Sequence, residues 1–150
     1  MSFANNLPVL PAESSITEII MIRNAWMVTF QSDGSAIIAY GSNSGDEAYV
    51  TKGSFPIKEI YRRLVPHVVP RDWDPKSVQV IFRSDQAASG VTVSLKDKAV
   101  IRKIFSELKK KANSKTKGRF GELSKKHSLP GEEDEQPTVS GPDNGKLLIK

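Results

Sequence analysis

With 150 residues and ordinary shares of hydrophobic (38%) and charged (26%) side chains, the chain is sized for one globular domain with a polar remainder, and neither a second full domain nor wholesale disorder is expected. It has no cysteine, which removes disulfides, thiolate metal sites and a cysteine nucleophile. No apolar run approaches the roughly 20 residues of a membrane span, and the N-terminus lacks a basic start followed by an apolar stretch, so a soluble, cytoplasmic protein is expected.

The formal charge of +5 is concentrated in one segment. Residues 1–95 hold 8 bases and 9 acids, residues 96–126 hold 12 bases and 3 acids, and residues 131–150 hold 2 bases and 5 acids. A local surplus of +9 between near-neutral and acidic flanks bears on association with polyanions, not on fold.

In chain order, residues 1–15 contain Pro8 and Pro11 but no apolar period, and are expected to form a flexible arm. Ile16 to Ile22 and Trp26 to Gln31 are rich in β-branched and aromatic residues and predict two strands. Asp33-Gly34 then marks a hairpin into a third at Ala36 to Tyr40, with a short extra strand at Ala48 to Thr51. Ser54-Phe55-Pro56 offers a helix start, followed by Ile57, Ile60, Tyr61 and Leu64 at helical spacing, and Pro66 and Pro70 end that helix. The second half repeats the order. Val78 to Arg83 predicts a strand, Ser84 to Gly90 a turn and Val91 to Leu95 a strand, with a helix starting at about Lys98.

Two patterns recur between the halves. Val28-Thr29-Phe30-Gln31-Ser32-Asp33 and Val80-Ile81-Phe82-Arg83-Ser84-Asp85 share V-x-F-x-S-D, and the two helices share I-x-x-I-aromatic-x-x-L. Any two strand–turn–strand–helix units with apolar faces give such matches, so duplicated topology is a safer inference than duplicated ancestry. The expected fold class is α+β: a two-layer antiparallel sheet covered by two helices, ββα-ββα, with extra strands accommodated in the loops of the first half. It spans residues 16–112 as a single domain. Alternation places Phe30 and Phe82 in comparable buried positions, and helical spacing does the same for Tyr61 and Phe105. The second sheet face should be wetter, but Ile20, Ile22, Met27 and Ile37 make part of it apolar. A homo-oligomer or a docked N-terminal segment is the expected consequence. Residues 113–150, basic and then acidic, are too polar to offset their ordering entropy and are expected to be a disordered tail. Leu147, Leu148 and Ile149 close it with a small apolar cluster.

Catalytic chemistry is largely missing. His67 and His127 are the only histidines, and a metal site draws on three or four clustered ligands. Asp72-Trp73-Asp74-Pro75 could hold a cation or serve as acid and base, but Asp before Pro is ordinary turn chemistry, and the Trp is expected to cap the core. Ser32-Asp33 and Ser84-Asp85 read as turns with no histidine to activate a nucleophile. Ser42-Asn43-Ser44-Gly45 lacks the lysine of a phosphate-binding loop. No catalytic site, metal or cofactor is expected.

The helix after Lys98 carries the clearest signal. At about 100° per residue, Ile101, Ile104, Phe105, Leu108 and Ala112 share one arc, while Lys98, Arg102, Lys103, Lys109 and Lys110 occupy much of the rest. Lys111, Lys115, Lys117, Arg119, Lys125 and Lys126 continue the same sign. The expectation is a non-catalytic binding module that contacts nucleic acid without reading sequence. The alternative is an interaction or adaptor domain whose basic surface docks an acidic protein. Glu132 to Glu135 could fold back and mask the lysines, and a solvated helix face with lysines at its C-terminus would also look like this.

Overall fold

The computed structural model describes residues 7–41, 47–85, 87–111, 114–126 and 129–130. The first two apolar runs form β1 (Ile16–Arg23) and β2 (Trp26–Gln31), joined by a tight turn in which Asn24 takes a positive φ of 56°. The Asp33-Gly34 hairpin leads into β3 (Ala36–Tyr40), and β4 (Glu47–Val50) pairs beyond it. Then follow α1 (Ile57–Leu64), β5 (Val68–Val69), β6 (Val78–Ser84), β7 (Ala87–Leu95), α2 (Lys98–Lys111) and α3 (Ser114–Lys126). The protein is α+β: seven strands in one antiparallel sheet, order β4-β3-β2-β1-β6-β7-β5, with three helices among the described residues. No described helix is long and apolar enough to cross a membrane.

Register explains the two V-x-F segments. They are β2 and β6, and they flank β1 on either side. Phe30 and Phe82 both stand opposite Ile19, and Val28 and Val80 both stand opposite Met21. All six are buried, as are Tyr61 and Phe105. Cross-strand partners share a face, and on this face the rings of the sheet meet the helices. Tyr61 of α1 crosses Phe82 edge to face at 4.9 Å, and Trp26 touches Phe105 of α2 and Phe120 of α3 at 6.3 and 6.4 Å.

The hairpin at Gly34 also fixes where α1 begins. Gly34 has φ +84°, and a Cβ there would lie 2.7 Å from the backbone nitrogen of Gly53. Only glycine allows the close approach. Gly53 N–H donates to the Asp33 carbonyl and Phe55 N–H to the Gly34 carbonyl, which sets Phe55 against Phe30 at 5.5 Å.

Four sequence expectations are corrected. The core does not end at Ala112: α3 carries Phe120 and Leu123, three residues apart on one face, and both are buried, with Leu129 beyond them. Sparse periodicity hid this helix, because two apolar side chains suffice when Trp26 supplies the other half of the contact. The expected turn at Ser84 to Gly90 is shorter, since β7 starts at Ala87. Gly90 sits within that strand at φ +75° beside a register shift between Phe82 and Ser84. The arm is not free from Leu10 onward, because Leu10 packs on the core, Tyr61 Oη–H donates to the Pro11 carbonyl, and Glu13 lies 3.5 Å from Arg62. These contacts put it beside α1, so a segment docked on the other sheet face is not what residues 10–15 provide. Finally, Trp73 does not cap the core: it is 80% exposed. Residues 131–150, with Glu132 to Glu135 and Leu147 to Ile149, lie outside the described residues, as do Ser42 to Gly45 and His127.

Candidate nucleic-acid interface

The apolar stripe of α2 decides where its charges go. Burying Ile101, Ile104, Phe105 and Leu108 leaves Lys98, Lys103, Lys109 and Lys110 exposed and Arg102 half-buried. Asp97 caps the helix, its Oδ1 accepting from the N–H groups of Ala99 (3.0 Å) and Val100 (3.3 Å). Such a cap satisfies donors that the first turn leaves unpaired.

α1 adds residues that the sequence reading overlooked. Arg63, in the last turn of α1, forks onto Glu107 of α2 with N···O distances of 3.0 and 2.7 Å, joining the two helices at one point. One residue earlier, Arg62 is exposed. Together Arg62, Arg63, Pro66, His67, Val100 and Lys103 line a shallow cleft of about 270 Å³ between the end of α1 and the start of α2. Two arginines and a lysine therefore border one depression, Arg62 within 3.5 Å of Glu13 and Arg63 paired with Glu107. His67 sits at its rim, with Nδ1 3.4 Å from Asp97 Oδ2. The signal was available: Arg62 and Arg63 follow Tyr61 directly, but two arginines on a short helix say nothing about which second helix they will face.

The eleven predicted basic residues do not all share this surface. Lys111 turns the other way, donating to the Ser54 carbonyl at 2.8 Å and lying 4.6 Å from the centre of the Phe55 ring, so it braces the entry to α1. Lys125 and Lys126 are exposed in the last turn of α3, where they complement the helix dipole. Lys115, Lys117 and Arg119 lie on α3 in sequence, and their side chains are outside the described residues.

The Asp72 loop is occupied by its own turn. Asp72 Oδ1 accepts from Ser77 Oγ (2.7 Å) and Asp74 N–H (3.2 Å), and Lys96 Nζ sits 3.3 Å from Asp72 and 3.6 Å from Asp74. Burial works to raise the Asp72 carboxyl, yet the Ser77 hydroxyl, the Asp74 N–H and Lys96 outweigh it and hold it below the ordinary carboxylate value. Asp33 is likewise held down, chiefly by the Ser35 hydroxyl and then by its N–H. Arg71 covers the Trp73 ring at 4.3 Å. Among the described residues no group of three or more His, Asp or Glu is arranged to hold a metal ion.

No protein-family model, characterised protein or solved structure matches this chain.

Proposed function

We propose that the protein is a non-catalytic binding module that takes a polyanion, nucleic acid in the first instance, on the outer surface of α1 and α2. We take the domain as two layers, helices on sheet, elaborated from two strand–strand–helix units by β3, β4, β5 and α3. The observation that carries the reading is the convergence of Arg62, Arg63 and Lys103 on one cleft, with Lys110 exposed two turns further along α2. Cations from two separately encoded helices, joined by the Arg63–Glu107 pair, offer a phosphate backbone several contacts once it competes with Glu13 and Glu107 for the two arginines. Nothing in that set is aimed to read a base edge, and across residues 96–126 lysine, a point charge, outnumbers the planar fork of arginine ten to two. The carboxylates of Asp33, Asp72 and Asp74 are engaged in their own turns, and Ser84 lies in β6.

The test is anisotropy of labelled oligonucleotides across a salt series. If about four phosphates are contacted, log affinity should fall against log salt with a slope of roughly −3 to −4, whatever the probe sequence. Absence of binding at about 50 mM salt overturns the reading. Tight capture of an acidic polypeptide by the same residues, in place of nucleic acid, would favour the acidic-partner alternative.

A further inference from the structure

The face of the sheet opposite the helices is open across most of its width among the described residues; only at its β6–β7 end does the Asp72 loop lie on it, over Gln79 and Ser94. One row runs Tyr49, Ile37, Thr29, Ile20, Ile81 and Thr92 across six strands. It carries no charge. In the adjacent row Glu47, at the β4 edge, is followed by Ala39, Met27 and Ile22, and beyond them Gln79 and Ser94 lie beneath the Asp72 loop. A third row ends the face with Glu18 and Arg83, 3.4 Å apart. Met27 and Tyr49 are 42% and 45% exposed. Large apolar side chains in such continuity, bordered by charge, mark an interaction surface.

We infer that the occupant of this face is a second copy of the same chain, packed sheet to sheet about a two-fold axis lying near the strand direction between β1 and β2. Three observations favour this partner. The first is size: one full row of six strands about 4.8 Å apart and two partial rows, roughly 6.8 Å apart, give on the order of 400 Å² in projection, enough for a small interface of the concentration-dependent kind. The second is shape. A two-fold in that position lays β4, β3 and β2 of one copy on β7, β6 and β1 of the other. Tyr49, the bulkiest side chain of its row, then faces Thr92, Ile37 faces Ile81, and Thr29 faces Ile20. Large meets small at the outer pair and medium meets medium inside, which is the self-complementarity an isologous interface requires. Charge is the third: the face is close to neutral while the surplus of the chain lies on its helices. Apposing these faces holds the two positive surfaces apart, whereas the near-neutral rows offer an acidic or phosphate partner no cation at their centre. The inference does not depend on what the helices bind.

Sedimentation of the full chain between about 1 and 200 μM tests it. A concentration-dependent dimer is expected, and Met27→Lys and Thr29→Lys, each placing a charge near the axis, should weaken it at least about tenfold. Because the chain has no cysteine, thiols can be placed at will. Tyr49 and Thr92 are five strands, about 24 Å, apart within one copy. A short bis-maleimide should therefore cross-link the double variant Tyr49→Cys/Thr92→Cys between copies, and should leave each single variant uncross-linked. A monomer at 200 μM overturns the inference, as does a dimer untouched by both lysine variants or cross-linked by a single cysteine. A monomer that dimerises only after removal of residues 131–150 would also overturn it, assigning the face to the chain's own C-terminal segment.

Discussion

The helices α2 and α3 carry nearly the same charge and reach the same core by different means. Lysine and arginine make up six of fourteen residues in α2 and five of thirteen in α3, with one acid in each. Four buried side chains anchor α2, and their spacing alone announces a helix. α3 has Phe120 and Leu123, with Gly118 and Gly121 between and beside them. Helical propensity does not hold such a segment together, since isolated helices of this length are marginal in water even with favourable sequences. It is held by what it meets, the Trp26 ring at 6.4 Å and strand β4. The difference teaches that buried volume at one good contact can replace periodicity.

The strongest way to break that comparison is at the ring contacts. Phe120→Ala should destabilise the fold by about 3–5 kcal/mol, as much as Phe105→Ala, since both are fully packed aromatic side chains. Urea unfolding measures both. A cost under about 0.5 kcal/mol for Phe120→Ala would mean that α3 is an appendage. The emission of Trp26 offers a second readout, best recorded in a Trp73→Phe background, because the exposed Trp73 would otherwise contribute.

Binding sharpens the same contrast. Lys103→Glu with Lys110→Glu should weaken oligonucleotide binding by roughly tenfold or more and reduce the salt slope by about 2, as expected for two lost phosphate contacts. The pair Lys125→Glu with Lys126→Glu, at the far end of α3, should do distinctly less. Equal losses would move the interface onto both helices.

A smaller effect is expected at the joint between α1 and α2. Removing either Arg63 or Glu107 should cost about 1 kcal/mol, because the pair is bidentate but partly solvated. A double-mutant cycle gives the coupling, and zero coupling would leave the two helices held by apolar contacts alone.

The smallest effect lies outside both helices. Asp72 has its carboxyl pKa lowered in the fold, so the stability it contributes is present above the ordinary carboxylate value near 3.8 and is lost as pH falls through the lower folded value. Asp72→Asn should flatten the acid limb of urea stability while leaving stability of the remaining chain insensitive to pH around neutrality. An unchanged acid limb would remove Asp72 from the account.

Much of this architecture was legible because it rests on local periods. β1 follows from its run of β-branched residues and β3 from the Asp-Gly hairpin before it; β2, β6, α1 and α2 follow from alternation or from i, i+3, i+4 spacing, and Phe30, Phe82, Tyr61 and Phe105 were placed in the core by phase alone. Two-residue β5 was illegible, since Val68-Val69 pairs with Ser94 and Leu95 only after α1 has carried the chain across the sheet. Trp73 was misjudged for a related reason: an aromatic residue between prolines offers no period, and here Arg71 rather than the core supplies its neighbour. The basic residues of α2 could be named from the wheel, but not the partners that α1 adds.

By itself, then, the sequence determined the elements with strong periodicity, the α+β class and the lateness of the positive charge, because those are properties of neighbouring residues along a chain. The tertiary structure decided which strand stands between the two V-x-F segments, that Phe120 finds Trp26, and that Arg62 and Arg63 lie beside Lys103. Each of these joins residues at least 40 positions apart, and no local energy difference favours such a pairing before the sheet has brought its members together. The open row from Tyr49 to Thr92 arises in the same way, from six strands whose outward residues align only through register.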